Sequence, residues 1–159
     1  MPSPTIESGL CARDMMITRV KTVRPDTQVI DAVNMLLKYG FSGAPVLDES
    51  GALVGILSEK DCIQALMRAV VERLPSSQVK HVMTKEVISI TPDTHVLTIA
   101  HMFLNKPIRR LPVVENGQLV GQISRRDLLK HAAAVFEKAP NRGAAVLYLS
   151  AVDGSQSPH

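Results

Sequence analysis

Aromatic residues, cysteines and long hydrophobic runs are all scarce in this 159-residue chain. Phe, Tyr and Trp make up 3% of it, too few for the stacking platforms that hold single-stranded nucleic acid. Two cysteines are too few for a disulfide framework and are typical of a reducing cytoplasm. No hydrophobic run reaches the roughly 20 residues of a transmembrane helix, and residues 1–7 lack the basic and then hydrophobic order of a signal peptide. We therefore expect a cytoplasmic protein that does not enter a membrane.

Charge is present in moderate amount but is unevenly placed. Hydrophobic residues make up 45% of the chain, enough for a folded protein, and the net charge is +3. Residues 13–73 carry eight basic and eight acidic side chains, whereas residues 80–130 carry eight basic and four acidic ones. The second half is therefore expected to attract anions, and a small phosphorylated ligand needs fewer positive charges than a nucleic acid. Nucleic-acid binding through this basic half stays open as an alternative.

The second half of the chain also repeats the first. Residues 20–27 (VKTVRPDT) return as residues 87–94 (VISITPDT), at an offset of 67. Matches continue at this offset as far as Val46 and Val113, and the offset then becomes 66 after a one-residue deletion in a turn. A single length change confined to a turn indicates an internal duplication, because turns tolerate such changes.

Each copy predicts an extended segment, a helix, a hairpin of two strands and a second helix. In the first copy Thr27 is expected to N-cap the first helix, Gly40 to end it and Ser58 to cap the second helix. The predicted extended segments and strands are residues 20–23, 44–47 and 53–57, and residues 87–90, 111–114 and 119–123. The helix faces predicted to be buried comprise Val29, Val33, Leu36 and Leu37, and in the copy Val96, Ala100, Phe103 and Leu104.

This order predicts the α+β class, with two β-α-β-β-α repeats packed around an approximate twofold axis. A unit of about 60 residues is marginal alone, so the two repeats are expected to share a core. The predicted boundaries are residues 10–74 for the first repeat, 79–137 for the second and 138–159 for a C-terminal tail. Residues 75–78 form the predicted linker, and residues 144–149 are expected to add a strand or to dock on a partner.

A Gly-x-x-Ser-x-x-Asp motif closes the hairpin of each repeat, at residues 55–61 and 121–127. One interpretation is a capping box, in which Ser and Asp satisfy the first N–H groups of the helix. The other is a ligand site, because a helix N-terminus attracts a phosphate and the Asp can accept both vicinal hydroxyls of a ribose. Both can hold at once, so the motif alone does not decide. Arg125 and Arg126 within the second motif are interpreted as a solvated helix start, with an anionic ligand as the alternative because cations oppose the dipole there. Cys62 is interpreted as buried and inert.

Taken in full order, these motifs resemble the tandem cystathionine-β-synthase (CBS) domain pair, known as the Bateman module. The resemblance covers about residues 10–135. The first copy contributes Met16, Thr22, Pro25, Asp26, Thr27, residues 43–46, Gly51, residues 53–55, Ser58 and Asp61. The second contributes residues 82–84, 92–94 and 110–114, Gly117, residues 119–121, Ser124 and Asp127.

The resemblance implies two clefts, each with the Ser/Asp pair of one repeat and a wall for adenine from the other. One is expected to comprise Ser124, Asp127, Ile17, Val20, Thr22, Phe41 and Ser42. The other is expected to comprise Ser58, Asp61, Ile56, Thr84, Val87, Ser89 and Ile108. Arg109 and Arg110 occupy positions that meet phosphates in this family, so the Ser124 cleft is expected to bind a charged nucleotide more strongly. Gln122 stands where the family is usually apolar and is expected to alter the contacts to the base.

The function implied is a regulatory module that senses AMP, ADP, ATP or S-adenosylmethionine and has no catalysis and no required cofactor. It is expected to form a homodimer and to act on an effector protein in trans. No nucleophile stands with an acid–base pair, and none of the five histidines is spaced four residues from another His or Cys, so neither an enzyme nor a metal site is expected. Besides nucleic-acid binding, a structural dimerisation module with empty clefts stays open.

Overall fold

The computed structural model describes residues 10–138, which fall into two compact units. Within this range the first unit consists of residues 10–17, 90–113 and 121–138, and the second of residues 18–89 and 114–120. The helices are α1 (Ala12–Met15), α2 (Val29–Tyr39), α3 (Glu59–Glu72), α4 (Val96–Asn105) and α5 (Arg125–Lys138), with a 3-10 turn at Val79–His81. The strands are β1 (Gly43–Leu47), β2 (Leu53–Ser58), β3 (Arg110–Glu115) and β4 (Gln118–Ser124).

The predicted α+β class is confirmed, because helix, strand, strand and helix follow one another twice in the same order. β1 and β2 form one two-stranded sheet, and β3 and β4 form another. The first is antiparallel, with Gly43 opposite Ser58 and an irregularity between Val46 and Leu47. Each hairpin therefore ends where the next helix begins, which places the Ser of each motif at a helix start.

The extended segment that opens each repeat pairs at one residue only, instead of forming the predicted strand. Val23 bridges Val46 in parallel, and Ile90 bridges Val113 in the same way. The N–H of Val23 donates to the carbonyl of Pro45 at 3.0 Å, and that of Ile90 to Pro112 at 3.0 Å. The N–H of Leu47 returns a bond to the carbonyl of Val23 at 3.0 Å. Pro45 and Pro112 have no N–H to donate, so the ladder does not extend back along these segments.

The first helix of repeat one starts one residue later than expected and ends as predicted. Gln28, not Thr27, is the N-cap of α2, and its side chain makes no capping bond. The Thr27 hydroxyl instead accepts from the N–H of Arg24 at 3.2 Å, which closes the turn before the helix. Gly40 ends α2 in the left-handed conformation with φ of 69°, where a residue without a side chain avoids strain.

The buried faces of the two matching helices are narrower than predicted. They comprise Val29, Ala32 and Leu36 in α2, and Val96, Ile99 and Phe103 in α4. Leu37 and Leu104, expected on these faces, are 75% and 84% exposed, so that part of the prediction is wrong. At 100° per residue Leu37 lies about 80° round the helix from Val29, which takes it off the buried face.

Each unit has its own buried hydrophobic residues. Those of the first unit include Ala12, Met15, Ile90, Val96, Ile99, Phe103, Leu111, Val113 and Ile123. Those of the second form one cluster of Val23, Ala32, Leu36, Ala44, Val46, Leu57, Cys62 and Val79. The end of the predicted linker is held against α2, because the N–H of Val29 donates to the carbonyl of Ser77 at 2.9 Å. The predicted extra strand at residues 144–149 lies outside the described residues, and the repeat boundaries stay a prediction.

Candidate functional site

The first Ser-x-x-Asp motif lies where β2 passes into α3, and its two side chains hold each other. The hydroxyl of Ser58 accepts from the N–H of Asp61 at 3.1 Å, and a carboxylate oxygen of Asp61 accepts from the N–H of Ser58 at 3.0 Å. This is the reciprocal capping box that the structural interpretation expected. Both side chains are partly buried.

The second motif repeats this geometry where β4 passes into α5. Asp127 Oδ2 accepts from the N–H of Ser124 at 2.8 Å and from its hydroxyl at 2.9 Å, while the N–H of Asp127 lies 3.1 Å from Ser124 Oγ. Within residues 10–138, no hydrogen bond reaches Oδ1 of Asp127 or of Asp61. One carboxylate oxygen therefore fixes the helix start, and the other keeps its acceptor capacity for a ligand.

An extended segment lies beside the strand of each motif and pairs with it through one residue. The N–H and carbonyl of Ile56 pair with those of Thr84 at 2.9 Å each, and the Thr84 hydroxyl donates to Asp61 Oδ2 at 3.5 Å. Gln122 pairs with Ile17 in the same manner, at 3.0 Å each. The structure thus brings Thr84 to the Asp61 carboxylate, and it brings Ile17 to the strand that leads into Ser124.

The glycine of each motif lets that segment approach the strand closely. A Cβ added at Gly121 would lie 2.6 Å from Met16 Sδ and 2.9 Å from the carbonyl oxygen of Ile17. One added at Gly55 would lie 2.5 Å from Met83 Sδ. Because the Ile17 oxygen belongs to the backbone, a side chain at Gly121 would push the neighbouring segment away from the motif, whereas one at Gly55 would first displace the Met83 side chain.

Basic side chains collect at the start of α5. The N–H of Arg125 donates to the carbonyl of Arg109 at 3.3 Å, and Arg125 Nε donates to the carbonyl of Ile108 at 3.1 Å. Arg125 is exposed, as a solvated helix start would be, but it also binds the loop that runs through Ile108 and Arg109 into β3. Its place inside the Ser-Arg-Arg-Asp motif was the one signal of this role. In repeat one the matching bond runs from the N–H of Glu59 to the carbonyl of Ser42, at 3.0 Å.

The predicted site residues divide between the two units. The Ser124 motif shares its unit with Ile17, Ile108, Arg109, Arg110 and Gln122. The Ser58 motif shares its unit with Val20, Thr22, Phe41, Ser42, Ile56, Thr84, Val87 and Ser89. Phe41 stacks on Tyr39 with 6.1 Å between ring centroids. The expected association of Val20, Thr22, Phe41 and Ser42 with Ser124, and of Ile108 with Ser58, joins residues of different units and stays a prediction.

Neither cysteine is paired, and Cys62 follows Asp61 directly. Burial raises the pKa of the Cys62 thiol, and the nearby carboxylates of Asp61 and Glu59 raise it further. A thiol held in its protonated form is a poor nucleophile, in keeping with the inert role expected for it. Across residues 10–138, the His, Cys, Asp and Glu side chains do not form groups of three or more suited to a metal ion. No helix in that range is long and apolar enough to cross a membrane.

Comparison with known proteins gives two matches to one family model. Residues 12–68 and 79–134 each match the CBS domain. The chain is 31% identical over 116 residues to the CBS domain-containing protein YhcV of Bacillus subtilis, across 73% of this chain and 81% of that protein. It is 34% identical over 120 residues to the inosine-5'-monophosphate dehydrogenase of Methanocaldococcus jannaschii, across 75% of this chain but 23% of the enzyme. The chain thus spans most of YhcV, but less than half the length of the dehydrogenase and of another relative, the protein MJ1225 of the same archaeon.

Solved structures give the same result for the fold. CBSX2 from Arabidopsis thaliana superposes with a TM-score of 0.74 at 27% identity, across 82% of this chain and 99% of CBSX2. CBSX2 in complex with AMP gives a TM-score of 0.73 at 28% identity, across 80% and 98% of the two chains. The fold is therefore shared with a protein whose structure was solved in complex with AMP.

Proposed function

The chain belongs to the CBS domain family as a tandem pair, and from that premise we propose that it is a regulatory module that binds an adenosine nucleotide at Ser124 and Asp127. The observation that carries this proposal is the divided use of the Asp127 carboxylate. Oδ2 takes two bonds from Ser124, whereas Oδ1 takes none from the described part of the chain. The proposed ligand is one that brings hydroxyl donors to Oδ1.

A ribose supplies such donors as a vicinal pair. The carboxylate is held in one orientation by the N–H and hydroxyl of Ser124, so it does not have to be ordered when the ligand arrives. Hydrogen bonds to a charged acceptor are stronger than neutral ones and contribute about 1.5–3 kcal/mol. Oδ2 of Asp61 in repeat one takes its bonds from the N–H of Ser58 and the hydroxyl of Thr84, and we propose Asp61 as the second ribose site.

The phosphate of the nucleotide is proposed to bind at the start of α5. Four arginines stand there, at positions 109, 110, 125 and 126, and Arg109 and Arg126 are exposed. The matching positions of repeat one hold Ser42, Gly43, Glu59 and Lys60, whose net charge is zero. The helix N-terminus adds its own positive end. This contrast supports the Ser124 site as the stronger one for a charged nucleotide.

The relatives support the adenosine class and a role without catalysis. CBSX2 binds AMP and shares the fold at 28% identity. The dehydrogenase matches along 23% of its own length, so the likeness to it does not extend to the whole enzyme. We propose that this chain, in the cytoplasm, reports nucleotide or S-adenosylmethionine levels to an effector protein. The effector would bind the ligand-bound and ligand-free forms of the chain with different affinities.

A second copy of this chain is the proposed partner of α3. Its residues Ile63, Met67, Val70 and Val71 are 54–79% exposed and fall within one stripe of the helix. In α5, Leu129 and Phe136, 66 positions after Ile63 and Val70, are also exposed. A stripe present twice in one chain suits a self-complementary twofold interface.

Isothermal titration calorimetry tests the nucleotide proposal, with AMP, ADP, ATP, GTP, NAD and S-adenosylmethionine as ligands. We expect an adenosine ligand to bind the wild type and Asp127→Ala to bind it more weakly. A chain that binds none of them, while remaining folded, would contradict the proposal and favour the structural dimerisation module. Binding to RNA that falls steeply with salt and ignores Asp127→Ala would favour the nucleic-acid alternative.

Sedimentation velocity tests the dimer separately. Val70→Lys places a charge in the α3 stripe and is expected to give a monomer, whereas Leu37→Lys changes an equally exposed leucine on α2 and is expected to leave a dimer. A wild-type chain that is monomeric at micromolar concentration would overturn this part of the proposal.

A further inference from the structure

Gln122 is the one polar side chain that the described part of the chain buries, at 7% exposure. Its side-chain oxygen Oε1 is fully buried and accepts no hydrogen bond there. A buried acceptor without a donor costs free energy that an apolar side chain of similar shape would not. The residue therefore calls for an explanation other than the stability of the fold.

The position of Gln122 ties it to the Ser124 motif. Its backbone N–H and carbonyl are both used by Ile17, at 3.0 Å each, so its backbone is satisfied. Side chains alternate along a strand, so Gln122 is placed on the same face of β4 as Ser124, while the fully buried Ile123 is placed on the other. The orphaned oxygen thus belongs to the face that carries the proposed nucleotide site.

Repeat one has an apolar residue at the position that matches Gln122. The matching residue is Ile56, whose backbone pairs with Thr84 just as that of Gln122 pairs with Ile17. An apolar side chain is therefore compatible with the local frame. The two repeats differ here by a carboxamide. They also differ by four arginines, which repeat two carries at positions 109, 110, 125 and 126.

We propose that Gln122 is a specificity-determining residue whose Oε1 accepts a hydrogen bond from the exocyclic amine of a 6-aminopurine nucleotide. The proposal rests on nucleotide binding at Ser124 and Asp127. With the ribose at Asp127 and the phosphate at the arginines, the base is the part of the ligand left to supply a donor. A purine with a carbonyl at this position, such as guanine or hypoxanthine, would set a second acceptor against Oε1.

The test compares AMP with purine riboside 5'-monophosphate, which lacks only the 6-amino group. Calorimetry on the wild type is expected to show that AMP binds about 10-fold more tightly, which is the effect of one hydrogen bond that satisfies a buried acceptor. Gln122→Ile, which copies repeat one, is expected to bring this ratio to about one. The same variant is expected to melt about 2–4 °C higher without ligand, because the orphaned acceptor is gone.

Gln122→Met keeps the length of the side chain and gives the same readout if the branched isoleucine disturbs folding. Gln118→Met, the same change at an exposed position of β4, is the matched control and is expected to leave the ratio of the two affinities at its wild-type value. A wild-type ratio near one, or a ratio unchanged in Gln122→Ile and Gln122→Met, would overturn the role of Gln122. In those cases the proposed function still holds if Asp127→Ala weakens AMP binding. A wild type that binds no AMP would overturn both the role of Gln122 and the proposed function.

Discussion

Replacing Asp127 with alanine separates its two tasks, capping α5 and binding a ribose. The carboxylate caps the helix through two bonds to Ser124, of 2.8 and 2.9 Å, both on Oδ2. Ser124 is the N-cap residue and is unchanged, so losing the Asp127 half of the capping box is expected to cost about 0.5–1.5 kcal/mol of the free energy of unfolding. Losing the ribose contact costs about 1.5–3 kcal/mol of binding free energy, because the acceptor is charged.

These two costs are measured by different experiments. Urea unfolding without ligand gives the capping cost. Calorimetry with AMP, at a temperature where the variant stays folded, gives the binding cost, expected as a loss in affinity of about 10- to 150-fold. The Asp61→Ala variant loses the same kind of cap in repeat one, so it is expected to lose similar stability. It is expected to retain the tighter AMP binding that we propose for the Ser124 site.

The ligand series decides whether the lost affinity comes from the ribose. For 2',3'-dideoxy-AMP, which has no hydroxyl pair, we expect Asp127→Ala to bind about as well as the wild type. If AMP and its dideoxy analogue are weakened by the same factor, the ribose assignment is refuted. The effect of the substitution would then be a disturbed helix start rather than a lost contact.

Three further outcomes are expected. Replacing Arg109 and Arg110 with alanine is expected to weaken AMP binding far more than adenosine binding in calorimetry, and equal weakening would refute the phosphate role. Gly121→Ala is expected to lower the free energy of unfolding in urea by about 1–3 kcal/mol, since its Cβ would lie 2.6 Å from Met16 Sδ; an unchanged midpoint would contradict this. Hydrogen bonding from Ser50 holds the pKa of Asp48 below its ordinary value, so its contribution to stability is present above the unfolded pKa of about 3.9 and is lost as pH falls through the folded pKa. Asp48→Asn is expected to flatten the acid limb of a stability–pH curve, and an unaltered limb would count against the turn geometry.

The repeat, the hairpins and the helix capped by Ser58 could be predicted because each depends on local signals. Gly40 adopts the left-handed conformation that its position after a helix indicated. Ser58 and Asp61 form the capping box that their spacing indicated. Such features depend on a few neighbouring residues, and the duplication provides the same local pattern in both repeats.

Other features depend on tertiary packing, which the periodicity of hydrophobic residues does not predict. Leu37 and Leu104 fit the helical spacing of a buried face yet are exposed, because the face that packs is narrower than the apolar stripe. Val20 to Val23 has strand-forming residues, but Pro45 has no N–H to donate to this segment, so the pairing does not extend beyond Val23. The sequence also does not predict that Oε1 of Gln122 is a buried acceptor without a donor, because a polar residue in a strand indicates neither its burial nor its hydrogen bonds.

A crystal structure of the chain grown with AMP tests the central claim most directly. It is expected to place the ribose hydroxyls within hydrogen-bond distance of Asp127 Oδ1 and the phosphate against the arginines at the start of α5. AMP bound with its ribose away from both Asp127 and Asp61 would contradict the account, whatever the affinity measured in solution.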